Sequence, residues 1–152
     1  VSYLAAPDPR YAGTATQLVD GVIGSDVEYN DGLWVGWRGS DLTAIIDLEH
    51  PTPIHAIRMR FLQQSGSWAL LPRRVAFAVS DDGKNWRTLQ STPIAVEPMD
   101  LRVTIRTVRF DATAPVTARY LRVTAQNYGL LPPGHEGAGK PAYLFTDEIL
   151  VQ

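Results

Sequence analysis

The sequence predicts an all-β protein, an antiparallel jelly-roll β-sandwich of about eight main strands. Apolar residues alternate with period 2 in short segments, as in half-buried strands. The 12 glycines and 11 prolines lie between these segments and mark turns. No segment keeps a 3.6-residue apolar stripe over three helical turns. With 152 residues the chain fits one domain, residues 1–152, that can bury a core of its own.

Five segments carry the strand pattern. Thr43–Leu48 is a continuous apolar run, typical of a central strand, while Ile54–Leu62, Val75–Ser80 and Tyr120–Ala125 alternate. Leu101–Phe110 alternates too, but its phase slips by one residue after Ile105, which a β-bulge or a break between two strands would explain. The side chains expected to face the core are Ile57, Met59, Phe61, Val75, Phe77, Val79, Leu121, Val123 and Ala125.

Two stretches read as connections. Asp81-Asp82-Gly83 separates two strand-like segments and predicts a hairpin. Residues 127–142 form the longest irregular stretch and contain three prolines and four glycines. A connection of this length in a compact domain is usually functional or disordered.

Composition excludes several classes of function. The net charge of −2 and the pI near 5.9 give no basic footprint for nucleic acid. No apolar run reaches the ~20 residues of a membrane helix, so we expect no membrane insertion. The absence of cysteine removes disulfides, thiolate catalysis and the common zinc frameworks. Because the chain begins at Val1 without a signal-peptide pattern, we expect a domain excised from a larger protein.

Catalytic constellations are missing from the sequence. Asp147 and Glu148 are adjacent acids, but neighbouring residues on a strand point to opposite faces and cannot flank one bond. The three histidines, His50, His55 and His135, are scattered. We therefore expect that this domain alone is not an enzyme.

Several short sequence segments, taken in their order along the chain, resemble those of a known family. These are Val19-Asp20-Gly21, Ile45-Ile46-Asp47-Leu48, Pro72 to Trp86, Ala118 to Val123 and Asp147-Glu148-Ile149. Together they resemble the discoidin family, the coagulation-factor 5/8 type C domains, which includes the family 32 carbohydrate-binding modules. The resemblance covers about Leu18 to Val151 and implies a binding module.

A narrower resemblance concerns the loops. Trp34-Val35-Gly36-Trp37, Gly66-Ser67-Trp68 before Pro72, and Leu131 to Gly139 resemble the domains at the C-termini of bacterial family 20 β-N-acetylhexosaminidases. This likeness implies a parent glycoside hydrolase whose catalytic domain is a partner. It also implies an extracellular, periplasmic or cell-surface location.

The family resemblance implies a structural calcium ion. Asp20 and Glu148 match the side-chain ligand positions, and carbonyls of residues 17–25 could supply the further oxygens that Ca²⁺ needs. An alternative is that Asp20 only shapes an Asx turn before Gly21 while Glu148 is a solvated edge residue.

A sugar site needs an exposed ring to stack on and a few planar hydrogen-bonding groups. The candidate ligand-binding residues, all near loops that match the family's ligand loops, are Trp34, Trp37, Gln63, Gln64, Trp68, His135 and Tyr143. Each tryptophan could instead be a buried loop anchor. Gln63-Gln64-Ser65 stands where galactose-type modules carry an arginine, so their sugar preference does not transfer.

These observations predict a non-catalytic carbohydrate-binding module that recognises a terminal sugar of a glycan. Two alternatives stay open. One is a structural accessory domain that packs on the catalytic domain without binding sugar. The other is a protein- or lipid-binding discoidin domain, for which Leu70-Leu71 and Leu130-Leu131 are the candidate apolar loop tips.

Overall fold

Seven antiparallel strands and three short 3₁₀ turns make up the computed structural model, which describes residues 1–152. The strands are β1 (Ser2–Tyr3), β2 (Val35–Arg38), β3 (Leu42–Gln63), β4 (Arg74–Ser80), β5 (Arg87–Pro93), β6 (Thr104–Gln126) and β7 (Tyr143–Val151). The 3₁₀ turns are Pro9–Tyr11, Gln17–Val19 and Ser65–Ser67. No helix is long and apolar enough to cross a membrane.

The two longest strands, β3 and β6, connect the layers of the sandwich. Residues 42–47 of β3 pair with residues 120–125 of β6, whereas residues 56–63 pair with residues 104–111. The register shifts twice between these halves, and the shifts bend the strand pair. β1, β4 and β5 extend the first half, and β2 and β7 extend the second. The predicted sandwich is thus confirmed, with seven strands because β3 and β6 each join two predicted segments.

The bend in β3 has a local cause. Glu49 has a φ of 70°, in the left-handed region, and its N–H donates to the Asp47 carboxylate at 2.8 Å. The same carboxylate takes two hydrogen bonds of 2.9 Å from the Arg119 guanidinium on β6. The two strands are therefore fastened together where both change direction.

The core between the layers follows the predicted alternation. Ile57, Met59 and Phe61 are fully buried, as are Leu121 and Val123 on the facing strand. Burying each such side chain contributes roughly 1.5–3 kcal/mol. The remaining predicted inward residues, Val75, Phe77, Val79 and Ala125, are also buried.

The phase slip near Ile105 is explained by burial on both faces of β6. β3 and β6 keep one register from residue 104 to residue 111, so no bulge lies there. Ile105 packs on a second apolar cluster outside the sheet, whereas Val108 and Phe110 face the main core. Leu101 precedes the strand and is 75% exposed.

Candidate functional site

The candidate site lies at the end of the sheet where β2 finishes and β7 begins. Arg38 and Tyr143 are directly opposite each other in the β2–β7 pair. The segment after the Ser65–Ser67 turn runs along the other side of Tyr143. The Tyr143 N–H donates to the Trp68 carbonyl at 2.8 Å, and the Leu70 N–H donates to the Tyr143 carbonyl at 3.0 Å. Backbone hydrogen bonds therefore fix three chain segments around one ring.

These segments enclose a shallow pocket of about 390 Å³. Its lining residues are Arg10, Tyr29, Arg38, Gly66, Ser67, Trp68 and Tyr143. Of the seven residues predicted to bind ligand, the structure brings two, Trp68 and Tyr143, into this pocket.

An aromatic cluster forms the floor of the pocket. The Tyr143 ring stacks on Phe145, with centroids 5.5 Å apart, and Tyr29 stacks on the same Phe145 at 5.1 Å. Tyr11 meets Tyr29, Tyr143 and Phe145 edge to face. Such ring pairs contribute about 0.5–1.5 kcal/mol beyond their burial. The floor is therefore a rigid surface of mixed aromatic and hydroxyl character.

Trp68 stands at the pocket edge in an unusual backbone conformation. Its φ of 64° is left-handed, a region that costs a bulky residue about 1 kcal/mol or more. The Trp68 N–H donates to the Ser65 carbonyl at 2.9 Å, which closes the 3₁₀ turn and holds this conformation. The indole is half-buried against Leu131 and Gly137. One side of the ring is thus supported by the 127–142 loop.

Two arginines border the Tyr143 ring. The guanidinium carbons of Arg10 and Arg38 each lie 5.7 Å from the ring centroid. Arg10 also donates to the Tyr143 hydroxyl and to the Asp8 carboxylate. The Arg10 hydrogen bond holds the pKa of Asp8 below its usual value. Burial raises the pKa of the Tyr143 hydroxyl and the Asp8 charge adds to the effect, so the phenol stays neutral.

The other two predicted ring platforms lie in the core. Trp37 is 0% exposed and its Nε1 donates to the Ala5 carbonyl at 2.9 Å. Trp34 is 2% exposed and its Nε1 donates to the Ser25 carbonyl at 3.1 Å. Neither ring presents a face for a sugar to stack on, in contrast to the expectation. Trp37 belongs to β2 and Trp34 directly precedes it, and both rings anchor segments that come before β2 in the chain.

Three predicted hydrogen-bonding residues lie outside the pocket lining. His135 is 7% exposed; its Nδ1 accepts from the Gly137 N–H at 3.0 Å, and its Nε2 lies 3.0 Å from the Ser65 carbonyl. The Ser65 hydroxyl oxygen also lies 3.0 Å from Nε2, so both ring nitrogens have partners within the protein. Gln63 is buried and bonded to the backbone of Glu97 and Leu71. His135 and Gln63 thus brace the loops, and Gln64 is half-buried beside them.

The two predicted metal ligands are Glu148, in the second half of β7, and Asp20, directly after the Gln17–Val19 turn. The Asp20 carboxylate accepts from the Val22 N–H at 2.9 Å, an Asx turn. Glu148 is 7% exposed, in contrast to the solvated-edge alternative, and its Oε2 has no hydrogen-bond partner. Burial raises the pKa of Glu148; the Gly21 N–H opposes this rise and the Asp20 charge adds to it. A buried carboxylate with one partnerless oxygen beside a second acid offers negative charge to a cation, and Arg58 and Arg60 line the same cavity.

Side chains alone do not complete a metal site there. No group of three or more His, Cys, Asp or Glu side chains has metal-binding geometry. Asp147, the next residue on β7, directs its Oδ2 to the Gly24 N–H at 2.9 Å and to Arg60 at 3.0 Å. An ion held by Asp20 and Glu148 would therefore need its remaining oxygen ligands from carbonyls of the 17–25 segment.

The sequence did not reveal Arg10, Arg38 or Tyr29 as pocket residues. Arg38 directly follows Trp37, and Tyr29 lies five residues before Trp34, so both are close in sequence to predicted site residues. Their convergence depends on the β2–β7 register and on the packing of Tyr29 over Phe145. Neither contact leaves a periodic signal in the sequence.

The apolar loop tips considered for lipid binding are mostly covered. Leu70, Leu71 and Leu131 are buried, and Leu130 alone among the four is exposed, at 62%. Leu70 and Leu131 form a small cluster with Ala142 under the long loop. These leucines thus stabilise the loop end of the sandwich.

Comparison with known proteins agrees with this architecture. A family profile described as F5/8 type C domain matches residues 6–136. No curated protein sequence matches the chain.

Solved structures share the fold at low sequence identity. CpGH89CBM32-6 produced by Clostridium perfringens is 14% identical, with a TM-score of 0.57 over 99% of this chain and 90% of that one. The family 32 module of AlyQ, in complex with 4,5-unsaturated mannuronic acid, is 13% identical, with a TM-score of 0.56 over 99% and 92%. CpGH89CBM32-5 from Clostridium perfringens, in complex with GalNAc-β-1,3-galactose, is 18% identical, with a TM-score of 0.55 over 99% and 91%.

Proposed function

The chain belongs to the F5/8 type C domain family, and we propose that it is a carbohydrate-binding module that holds a terminal sugar of a glycan between Trp68 and Tyr143. Membership in this family makes the domain itself a binding module and not an enzyme. The observation that carries the proposal is the pocket at the end of β2 and β7, where a partly exposed indole stands beside polar groups on a rigid aromatic floor.

The pocket chemistry suits a sugar. A pyranose presents an apolar C–H face and a rim of hydroxyls, so it needs a ring surface on one side and hydrogen-bonding groups around it. Trp68 offers the ring, and Arg10, Arg38, Ser67 and Tyr143 offer the polar groups. Two structural neighbours that are known in complex with sugars have the same fold, which supports this assignment.

The expected affinity is low. One stacked ring and two or three hydrogen bonds of ~1 kcal/mol each give about −4 kcal/mol, which corresponds to a Kd near 1 mM. Such a module is useful when it is tethered to an enzyme, because tethering supplies a high effective concentration. We therefore propose that this domain is part of a larger glycoside hydrolase and that the catalytic domain is its partner.

The parent enzyme is proposed as a bacterial β-N-acetylhexosaminidase that acts outside the cytoplasm. The proposal follows from the loop phrases around Trp34, Trp68 and Leu131, which resemble domains attached to those enzymes. In the structure, Trp34 and Leu131 are buried and Trp68 lies at the pocket. These phrases thus include both framework and pocket residues.

A calcium ion held by Asp20 and Glu148 is also proposed. The partnerless Oε2 of the buried Glu148 and the nearby Asp20 fit a cation that would offset their charge. Such an ion would fasten the 17–25 segment to β7, and it would lie apart from the sugar pocket.

Titration of the ¹⁵N-labelled domain with a panel of monosaccharides, up to tens of millimolar, tests the proposed function. We expect saturable shifts at the amides around Trp68 and Tyr143. Trp68→Ala is expected to weaken binding about tenfold or more, the scale of a lost stacking contact. Trp86→Ala is the matched control, since Trp86 is a half-buried indole outside the pocket, covered by Arg122.

The outcome separates the proposal from its rivals. If no sugar shifts any resonance, the accessory-domain alternative stands and the proposed pocket is not a glycan site. If Trp68→Ala loses the dispersed spectrum of a folded protein, Tyr143→Phe, which keeps the ring and removes only the hydroxyl, tests the pocket instead. If that variant binds sugar with unchanged affinity and the shifts map to another region, the pocket is not the sugar-binding site.

A further inference from the structure

The charge of the pocket points to a narrower class of ligand. We propose that the sugar held there is anionic, carrying a carboxylate or a sulfate, and that Arg38 is the residue that recognises its charge. This inference rests on the proposed function, because it concerns the same pocket.

Arg38 is placed to meet a ligand. It is exposed at the end of β2, and it forms neither a salt bridge nor a side-chain hydrogen bond. Its guanidinium lies 5.7 Å from the centroid of the Tyr143 ring, at the pocket wall. Some other arginines of the sheet do have acidic partners: Arg119 pairs with Asp47 and Arg109 with Asp111. The donors of Arg38 are thus free for an incoming acceptor.

Arg10 supplies a second, oriented cation. The Asp8 carboxylate holds its Nε and Nη2 at 3.3 Å, and the Tyr143 hydroxyl accepts a further hydrogen bond. Asp8 offsets one of the two positive charges, and the pocket lining itself contains two arginines and no acidic residue. The pocket is therefore positive although the whole chain carries a net charge of −2.

An anionic sugar uses this arrangement better than a neutral one. A guanidinium matches the two oxygens of a carboxylate or sulfate with parallel N–H donors, and such charge-assisted hydrogen bonds are roughly twice as strong as neutral ones. A neutral sugar would receive only ordinary hydrogen bonds from Arg38. The partly exposed Trp68 then selects for a pyranose ring over a simple inorganic anion.

Matched sugar pairs test the inference by NMR titration. The pairs are glucose with glucuronic acid, galactose with galacturonic acid, and mannose with mannuronic acid, at constant ionic strength. The methyl ester of galacturonic acid keeps the ring and removes the charge, and galactose 6-sulfate distinguishes a sulfate from a carboxylate. Inorganic sulfate alone measures simple anion binding. We expect at least one acid to bind about tenfold tighter than its neutral counterpart and its ester.

Variants locate the charge recognition. Arg38→Gln is expected to abolish the difference in affinity between that acid and its neutral counterpart when both are measured on the variant. Arg38→Lys is expected to restore part of the preference, because it returns the charge without the planar fork. The matched control is Arg122→Gln, which removes an arginine that covers an aromatic ring, Trp86, outside the pocket.

The outcomes distinguish this inference from the proposed function. Equal binding of acids and neutral sugars at Trp68 and Tyr143 overturns the inference and leaves the carbohydrate module standing. A preference that survives Arg38→Gln overturns the role of Arg38. Inorganic sulfate binding as tightly as the acidic sugars shows an unspecific anion site and also overturns the inference. Absence of binding by every sugar overturns both proposals.

Discussion

At the scale of single residues, burial decides what each aromatic or acidic side chain does. Trp37 and Trp68 have the same chemistry, yet one is fully buried with its Nε1 bonded to a carbonyl and the other borders a pocket. Glu148 likewise differs from ordinary surface acids, because its Oε2 is buried without a partner. Such a carboxylate destabilises the fold unless something compensates its charge.

The effect of Glu148→Gln on stability is predicted to differ between the calcium-free and the calcium-bound protein. Without calcium, the raised folded-state pKa of Glu148 means that the folded protein binds its proton more tightly than the unfolded chain. The stability of the native sequence relative to Glu148→Gln should therefore fall as the pH rises from below the ordinary value of 4.5 through the raised pKa. Urea unfolding of both proteins across this range, in chelator, measures the difference.

With calcium added, the native protein should be more stable than Glu148→Gln. The native protein is expected to melt at a higher temperature, and Glu148→Gln should not respond. Asp81→Asn is the control, since Asp81 is exposed and makes no side-chain hydrogen bond or ion pair, and its calcium response should be unchanged. If chelation leaves the melting temperature of the native protein unchanged, the proposed calcium site is wrong.

At the scale of elements, the Ser65–Ser67 turn and the long loop support each other. His135 reaches from the loop to Ser65, and the Ser65 hydroxyl donates to the Pro98 carbonyl. Gly137 approaches the Trp68 indole so closely that an added Cβ would lie 2.6 Å from its Cε2. The predicted functional loop therefore acts by holding the ring at the pocket edge, and residues 127–142 are ordered by these contacts.

Gly137→Ala is predicted to displace the Trp68 ring and to weaken sugar binding severalfold. The new methyl group would also clash with Leu131 at 2.7 Å, so we expect a loss of about 1–3 kcal/mol of stability. Gly66→Ala is the matched control for stability, because its Cβ would meet nothing within 4 Å and its φ needs no glycine. Thermal melts and tryptophan fluorescence compare the two; equal melts would show that the close approach to Trp68 is unimportant.

At the scale of the whole molecule, the proposed site is a shallow pocket at one end of the β-sandwich. Two rings of the pocket floor, Tyr143 and Phe145, belong to β7, which lies between β2 and β3 in the sheet. We therefore expect little rearrangement when the proposed ligand binds, and the expected low affinity follows from the small number of contacts in a shallow pocket.

Two copies joined by a flexible linker are predicted to bind a multivalent glycan at least about 10²-fold tighter than one copy, while the affinity for a monosaccharide stays the same. Isothermal titration calorimetry of the single and tandem proteins measures both values. Trp68→Ala in one copy should return the tandem to single-copy affinity. A tandem protein that gains nothing on a multivalent ligand would argue against a tethered role.

The sequence by itself determined the fold class, the strands β3, β4 and β6, and the part of the core that lies on them. Period-2 alternation placed Ile57, Met59 and Phe61 on the inner face, because successive side chains of a strand point to opposite sides whatever lies around them. The order of the family phrases identified the family for the same reason, since each phrase is a local property of the chain.

Only the tertiary structure decided which rings are exposed and where charge collects. By the sequence, Trp34 and Trp37 could be exposed rings or buried anchors, and the packing of other segments buries them. Arg10 and Arg38 are 28 positions apart, and they meet at Tyr143 because of the β2–β7 register and the Pro9–Tyr11 turn. A binding pocket is built from contacts between segments far apart in the chain, and such contacts leave no periodic trace in the order of the residues.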